Sequence, residues 1–424
     1  MKRYRHIVIT VILLILGLAL ATFVLWAGSF EETVSKLRYL YICAPLAGVI
    51  IALAHYDNGR NATTGQYLSE MLVGKGTASD RKLYLDYARV IAVALVIVNH
   101  SCGMQIGEEA EHWKIVTLTV CTAIAFVCNP MYVMMSGVLN LGSKKEEPVG
   151  RYYFRRLLKV VLPLVFYYMV FLIISEKMSL IPPKNIGRSF LEMLAGAPDI
   201  APHFWLIYVL IALFVSAPFV KVMVNHLSDA QIRALFAVIT VCELLVTYLP
   251  LTGIKLGMTL TLAGWEGVFI LGYIILMRRD KFIERTVLIL GAISVVIIVA
   301  VLTKDFGQVG WVTSTAPTMV MFSGAVLILL EKCESFFKRH DSKVVRALSK
   351  YSYVMILAHW YTVFGVTEAR LGVAPLRFGC IGGIIGTVVV SLLTCFIVGF
   401  IAQNTAIIAL EYIFRLPERM IKRK

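Results

Sequence analysis

The 424-residue chain is short of charged side chains. Only 16% of its residues are Asp, Glu, Lys or Arg, against about 25% in soluble proteins. Hydrophobic residues make up 59% of the sequence, where a soluble domain has roughly 45–50%. A chain with so little polar surface cannot cover itself in water, which excludes a soluble enzyme and a disordered scaffold. The solvent for most of the chain is predicted to be lipid.

The eight cysteines form no CxxC pair and no Cys/His cluster with the spacing of a zinc site. Most of them lie inside apolar runs, where a free thiol behaves as a small hydrophobic side chain. A disulfide-rich secreted module is therefore excluded, and no metal site is predicted. Cys102 and Cys121 flank a short loop and could pair if that loop lies outside the cytoplasm.

Long apolar runs of bilayer-crossing length dominate the sequence. A hydrocarbon core about 30 Å thick needs about 20 apolar residues per helix. The runs are unbroken rather than alternating, which predicts an all-α polytopic membrane protein rather than a barrel. No small-residue cleavage site follows the first run near Trp26, so we expect a retained helix and not a signal peptide. The twelve predicted runs begin near Ile7, Tyr39, Leu83, Ile115, Val160, His203, Ala234, Leu262, Thr286, Trp311, Tyr353 and Phe378.

The net charge of +15 is distributed as in membrane proteins. Lys and Arg cluster in every second loop, whereas the loops between are poor in basic residues or acidic, as at Glu108, Glu109 and Glu111. Because cytoplasmic loops keep Lys and Arg, this alternation predicts a multi-pass protein of the cell membrane with both termini cytoplasmic. It also accounts for the basic excess without a nucleic-acid partner.

The chain is predicted to have three parts. Residues 1–56 form a two-helix membrane segment, and residues 57–80 form a polar cytoplasmic linker. Residues 81–424 form a ten-helix membrane core. No internal repeat is visible, and the sequence leaves the oligomeric state open.

The third apolar run carries three ionisable side chains, which are costly in a membrane helix and are functional candidates by default. Arg89 and His100 are eleven residues apart. At about 100° per residue they share one helix face, about 16 Å apart along the axis. Asp86 lies three residues before Arg89 and can pair with it. The predicted orientation places Arg89 toward the cytoplasm and His100 toward the outside.

This pairing of a cation with an imidazole has a chemical interpretation. A guanidinium matches phosphate oxygens in a fork, and a neutral imidazole can take a proton from a hydroxyl. A long thin donor with phosphates at one end and a reactive group at the other would span the gap, and coenzyme A with its pantetheine arm has that shape. The structural alternatives are an ion pair for Arg89 and an interhelical hydrogen bond for His100.

Six further ionisable residues extend the candidate site. A basic stretch at the inner mouth of the fifth run is either a phosphate site or a positive-inside anchor. Two histidines and a glutamate in later runs are candidates for proton chemistry, with roles in helix packing as the alternative. These residues are Arg155, Arg156 and Lys159, then His203, Glu266 and His359.

The two histidines at membrane depth are ranked by their surroundings. His359 has no cation on its own face, so we place it second to His100. No nucleophilic Ser or Cys elbow is visible, and direct transfer with His100 as the base is the expectation.

Several of these blocks resemble the acyltransferase-3 family of integral membrane acyltransferases. The most specific motif of this family is an Arg followed, after ten residues, by a His in a polytopic chain. Arg89 and His100 match this motif. Looser blocks follow in the family's order over roughly residues 80–410. They are Met135–Leu139, Arg155–Leu157 with Pro163, His203–Leu210 with Pro218, Phe269–Tyr273 and Tyr351–His359.

The resemblance implies a ten-helix core that transfers an acyl group, usually acetyl, from cytoplasmic acyl-CoA to an extracytoplasmic hydroxyl, typically on a surface or exported glycan. The two helices before the core depart from the family pattern. The competing interpretation is a twelve-helix secondary transporter. Transporters often show internal repeats, and transport would leave Arg89 and His100 without a joint task.

Overall fold

The computed structural model describes residues 5–27, 33–76, 81–143, 146–174, 183–196, 200–258, 260 and 262–417. Within these ranges every regular element is helical, which confirms the all-α prediction. Six helices are long and apolar enough to cross a bilayer, or seven when a pair bent by 71° counts as one span. The chain is a polytopic membrane protein, while the twelve-span count and the orientation of the termini stay predictions.

The amino-terminal third includes a helix inside the segment predicted to be a linker. Thr63 and Gln66 form a capping box, with the Thr63 hydroxyl accepting from the Gln66 amide, and this box starts the helix. The helices of this part are α1 (Arg5–Ala27), α2 (Thr33–Gly59), α3 (Thr64–Val73), α4 (Leu83–Gly103), α5 (His112–Ala125) and α6 (Cys128–Leu141).

In the middle third, π-helical and 3-10 turns join or extend several of the helices. A π-helical turn, Leu157–Val161, joins α7 to α8, and a second, Ile274–Arg278, extends α12. The 3-10 turn Pro202–Phe204 leads into α10. The helices are α7 (Val149–Arg156), α8 (Leu162–Ile174), α9 (Pro183–Leu194), α10 (Trp205–His226), α11 (Asp229–Tyr248) and α12 (Trp265–Tyr273).

The last third has two more π-helical stretches, Tyr361–Glu368 after α17 and Gln403–Ile407 between α18 and α19. Such stretches are rare and are frequent at functional sites. The helices are α13 (Lys281–Lys304), α14 (Val309–Val312), α15 (Pro317–Lys332), α16 (Glu334–Arg339), α17 (Lys343–Trp360), α18 (Cys380–Ala402) and α19 (Ile408–Phe414).

The outer surface of the bundle is apolar. On α18 the side chains of Ile381, Ile385, Val389 and Leu393 follow one another at every fourth position, and each is about 60% exposed. Residues at this spacing form one stripe along a helix. A stripe of large apolar side chains that faces away from the protein is stable only against lipid, so α18 borders the bilayer.

The amino-terminal segment is bound to the core. The Tyr351 hydroxyl of α17 donates to the Met71 carbonyl at the end of α3 over 2.6 Å. The His55 ring of α2 lies 2.9 Å from the Asn404 carbonyl, and the Asn404 amide donates to Tyr351 over 2.9 Å. These polar contacts connect His55, before the predicted linker, and Met71, inside it, to the core.

Cys102 and Cys380 are buried in a small apolar cluster with Leu118 and Ile384, against which Cys121 packs. Cys102 and Cys121 are both free thiols, so the pairing that the sequence left open is not formed. The thiols contribute to packing between α4, α5 and α18.

Helices α6 and α12 cross at glycines. A Cβ added at Gly272 would lie against the backbone of Met134, and one added at Gly137 would meet the Phe269 carbonyl. Only glycine, whose side chain is a hydrogen atom, permits so close an approach of the two backbones. Small residues bring membrane helices together in the same way at other interfaces.

We expect Gly272→Ala to destabilise the protein by roughly 1–3 kcal/mol, because the added methyl group must push two backbones apart. Gly382→Ala is the matched control, since a Cβ at Gly382 meets nothing within 4 Å. Thermal unfolding of the purified variants in detergent measures the difference. Equal midpoints for the two variants would show that the crossing tolerates a wider spacing.

Candidate active site

The start of α4 is fixed by a side chain from α16. The amides of Leu83 and Tyr84 donate to the Glu334 carboxylate over 3.1 and 2.7 Å. The first amides of a helix have no partner within the helix, and Lys82 at the cap position makes no side-chain cap. Glu334 supplies the missing acceptors and so sets where α4 begins.

Asp86 is the centre of a buried polar network. Its side chain is almost fully buried, and it accepts a forked pair of hydrogen bonds from Arg81 over 2.9 and 3.0 Å. Arg89 donates to it over 3.0 Å, which confirms the predicted ion pair. Ser349 of α17 donates over 2.6 Å. Two arginines and a hydroxyl donate hydrogen bonds to this carboxylate. The role that these contacts indicate for Asp86 is to hold Arg89 in position.

Arg89 is oriented by this network without being enclosed by it. One amino group of the guanidinium makes the bonds to Asp86 and to the Ser349 hydroxyl, the latter over 3.3 Å. The side chain is still 25% exposed. Within the described ranges no residue accepts from the remaining guanidinium donors, which leaves them for a ligand.

The three candidate histidines meet at the opposite end of α4. The rings of His100 and His359 stack with centroids 5.0 Å apart, and those of His203 and His359 lie edge to face at 5.2 Å. Trp360 stacks on His203 at 5.4 Å and presents its edge to His100 at 5.2 Å. Phe171 of α8 contacts His203 at 5.1 Å. Helices α4, α8 and α17 and the turn before α10 thus form one aromatic cluster.

Unpaired polar atoms are concentrated in this cluster. His359 uses Nδ1 to donate to the Ile356 carbonyl, so in the neutral ring Nε2 is an acceptor. That Nε2 atom and both ring nitrogens of His203 are buried without a partner among the described residues. Buried polar groups are nearly always hydrogen-bonded, so three such atoms together make this cluster a candidate ligand site.

Helices α4 and α17 run side by side in the same direction. Arg89 contacts Ser349, and His100 contacts His359 ten residues further along α17. Both α4 residues therefore face α17, which confirms that they share a face. Between these contacts the Tyr353 hydroxyl donates to the Val160 carbonyl over 2.8 Å, which adds the π turn before α8 to the same wall.

The three basic residues of the predicted stretch, Arg155, Arg156 and Lys159, differ in their contacts. Arg155 makes an ion pair of 2.5 Å with Glu147. Arg156 donates to Asn140 and lies over the Phe214 ring of α10, with its guanidinium carbon 4.4 Å from the centroid. Both arginines line a cavity of about 730 Å³. Lys159, in the π turn, has an exposed side chain and is not among the residues that line it.

Glu266 lies apart from the histidines. It is in the first turn of α12 and accepts from the Ser216 hydroxyl of α10 over 3.0 and 3.2 Å. In the described part of the chain no hydrogen bond or ring contact connects it to His100, His203 or His359. The contact between Glu266 and Ser216 therefore links α12 to α10.

Sequence reasoning missed or misread several members of the site. Trp360 was not singled out in the sequence, although it contacts two of the three histidines. Ser349 carried no charge to attract notice, yet its spacing from His359 matches that between Arg89 and His100 within one residue. That repeated spacing is a signal that could have found it.

The fold and the site together define an integral membrane protein with a guanidinium and an imidazole cluster at opposite ends of one helix pair. A family model described as an acyltransferase domain matches residues 82–400, about three quarters of the chain. The protein belongs to the acyltransferase-3 family and is a membrane acyltransferase. No curated protein and no solved structure matches the chain.

We expect Asp86→Asn to cost about 3–5 kcal/mol of stability, because it leaves two arginines at a buried site without their counter-charge. Glu192→Gln is the control, since its partner Arg188 is 81% exposed and such pairs contribute about 0–1 kcal/mol. Unfolding midpoints in detergent compare the two. If both variants unfold at the wild-type temperature, the network does not hold α4 against α17.

Proposed function

We propose that the protein moves an acyl group, acetyl in the simplest case, from cytoplasmic acyl-CoA to a hydroxyl of an extracytoplasmic acceptor, a cell-surface or exported glycan. The observation that carries the proposal is the arrangement of α4 and α17. These two helices place Arg89 at one end of their contact and His100 and His359 at the other, where His203 joins them and where ring nitrogens of His203 and His359 have no partner among the described residues.

The separation of the two ends suits the donor. Eleven residues of helix between Arg89 and His100 correspond to about 16 Å. The pantetheine arm of coenzyme A is extended and of comparable length. With its phosphates near Arg89, the thioester of such a donor would lie near the imidazoles.

His100 is the proposed general base. Its imidazole takes the proton of the acceptor hydroxyl while the oxygen attacks the thioester carbonyl. The carbon–sulfur bond then breaks, and the imidazolium returns the proton to the leaving thiolate. His100 suits this role because the residue is only partly buried, unlike His359.

The neighbouring rings have supporting roles in this proposal. The fixed tautomer of His359 keeps a lone pair on Nε2 beside His100, and it is available to accept a hydrogen bond. Trp360 covers His203 and the edge of His100, which limits water at the thioester. We keep His100 first and His359 second, since His359 is almost fully buried.

The donor's phosphates are assigned to the basic side chains at the Arg89 end. Arg89 has guanidinium donors that no described residue uses, and Arg156 lies at the cavity beside α7 and α10. Arg155 and Lys159 belong to the same basic group, although Glu147 already neutralises Arg155. Guanidinium groups suit phosphate because they bind its oxygens in pairs.

The proposed location is the cell membrane, with both termini and the Arg89 end on the cytoplasmic side. It follows from the alternation of basic loops along the chain. Membership of an acyltransferase family favours acyl transfer over the transporter alternative. The proposed geometry favours it too, because a transporter does not need a base within reach of a thioester.

We expect His100→Gln to lower turnover by about 10²–10⁴-fold and to leave donor binding nearly unchanged, because glutamine can hydrogen-bond but cannot take the proton. Release of the CoA thiol from acetyl-CoA, with water as the surrogate acceptor, measures turnover. Calorimetry on the same detergent-purified protein measures binding.

Two variants control this experiment. His340→Gln changes an exposed histidine outside the cluster and should match the wild type. His359→Asn should keep a sizeable fraction of turnover. Wild-type turnover in His100→Gln would sink the role of His100, and a complete loss in a folded His359→Asn protein would reverse the ranking.

We expect Arg89→Ala to weaken acetyl-CoA binding by about 1.5–3 kcal/mol, the contribution of hydrogen bonds to a charged group. Lysine at this position should restore only part of the acetyl-CoA affinity, since a point charge lacks the guanidinium fork. Calorimetric titration with acetyl-CoA tests both variants. An unchanged affinity in a folded Arg89→Ala protein would limit Arg89 to the network around Asp86.

A further inference from the structure

The short helix α3 ends against the part of α17 that contains Ser349. The last carbonyls of an α-helix have no partner within the helix and carry partial negative charge, so a cation is favourable there. Lys350 donates to the Glu70 carbonyl over 2.9 Å and also to the Met71 carbonyl. The Met71 carbonyl accepts from the Tyr351 hydroxyl as well. Helix α17 therefore binds the carboxyl end of α3 through a cation and a hydroxyl.

The chain that leaves α3 is held by two arginines. Gly74 has a φ of +84°, and a Cβ added there would lie 3.4 Å from the Arg81 guanidinium. The same guanidinium lies 3.5 Å from the Val73 carbonyl. Two residues after Gly74, the Gly76 carbonyl accepts from Arg346 of α17 over 2.7 Å. The end of α3 and the residues that follow it are thus in contact with α17 and with Arg81.

The residues that bind α3 are the ones that hold Asp86, or are next to them in the chain. Arg81 donates to both oxygens of the Asp86 carboxylate. Ser349, which donates to it over 2.6 Å, immediately precedes Lys350. The carboxylate in turn accepts from Arg89 over 3.0 Å. A continuous set of polar contacts therefore connects the end of α3 to the Arg89 guanidinium.

Helix α3 precedes the residues 82–400 that the family model matches, and the proposed reaction uses none of its side chains. A binding side chain is effective only when the contacts around it hold it within about 0.5 Å of the productive geometry. For Arg89 those contacts come from Asp86 and Ser349. Whatever fixes these two residues also fixes the guanidinium that faces the donor.

We propose that α3 is a positioning element for Arg89. Its carboxyl end holds Arg81 and the turn of α17 around Ser349, and these hold the carboxylate that orients the guanidinium. The inference rests on the proposed function, in which Arg89 binds the donor. Loosening α3 then weakens donor binding at one end of the α4–α17 pair. The imidazole of His100, about three turns away, keeps its place.

The first test removes the cation that binds the end of α3. Lys350→Met keeps an unbranched apolar side chain and should raise both the Kd and the KM for acetyl-CoA about three- to tenfold, with kcat unchanged. Lys350→Arg, which keeps a cationic donor, should restore most of the affinity. Lys343→Met is the matched control, since Lys343 is an exposed lysine in the first turn of α17, and it should bind acetyl-CoA like the wild type.

A double variant tests whether Lys350 acts through Arg89. In an Arg89→Ala background, Lys350→Met should cause no further loss of acetyl-CoA affinity, because the guanidinium that α3 positions is gone. Equal losses in both backgrounds would show an independent effect and would overturn the proposal. A lowered unfolding midpoint with wild-type affinity and KM would overturn it too, because that is the result expected of a contact that only adds stability.

A second variant approaches the same contact from the side of α3. Gly74→Ala places a Cβ on a residue whose φ of +84° favours glycine, and so it distorts the chain where it leaves α3. Gly253→Ala is the control, because Gly253 has a φ of +81° and an added Cβ meets nothing within 4 Å. Only Gly74→Ala should weaken acetyl-CoA binding. Equal affinities for these two variants would contradict the role of α3.

Hydrogen exchange separates this inference from the proposed reaction. Exchange of the amides of residues 83–89, followed by mass spectrometry, should be faster in Lys350→Met than in the wild type or in Lys343→Met, because the start of α4 is less firmly held. Faster exchange in a protein that neither binds nor cleaves acetyl-CoA would support the positioning of Arg89 and remove the proposed function. Exchange at the wild-type rate in Lys350→Met would overturn the positioning, whatever the activity.

Discussion

The Asp86 carboxylate sets the register of the site. A charge that is buried among helices is tolerated only when opposite charges and hydrogen-bond donors surround it, and Arg81, Arg89 and Ser349 provide both. Because Ser349 belongs to α17, the network fixes α17 against α4. Three turns further along, that register brings His359 against His100.

The two ends of the α4–α17 pair differ in how well their polar groups are satisfied. At the Asp86 end the carboxylate accepts four hydrogen bonds of ordinary length. At the other end, three ring nitrogens of His203 and His359 are buried without a partner in the part of the chain that the structure describes. Proteins accept such a cost mainly at functional sites, where a substrate supplies the missing bond. The saturated end gives rigidity, and the unsatisfied end is where chemistry is proposed.

Aromatic rings position the ionisable groups at two levels of the bundle, that of the histidines and that of Arg156. Trp360 and Phe171 enclose the histidines, while Phe214 and Tyr152 hold Arg156 flat beside the cavity. Rings restrict orientation without neutralising charge, so a guanidinium or an imidazole keeps its reactivity. Helix α10 connects the two levels, since it begins two residues after His203 and contains Phe214 in its third turn.

Local periodicity made several features predictable from the sequence. Hydropathy predicts an all-helical membrane protein, because apolar runs of that length have one stable form in lipid. The helical repeat places Arg89 and His100 on one face and Asp86 within reach of Arg89. Each of these predictions depends only on residues close together in one helix, and the structure confirms all three.

Contacts between distant helices were decided by the tertiary structure. His100, His203 and His359 are separated by more than a hundred residues each, and no pattern along the chain predicts that they meet while Glu266 stays apart. The capping box and the docking of α3 lie within a segment that composition alone described as a linker. By itself the sequence determined the all-helical membrane class and the helix face that Arg89 and His100 share. Which faces meet was decided by packing among the helices, because side chains from several of them must fit together at once.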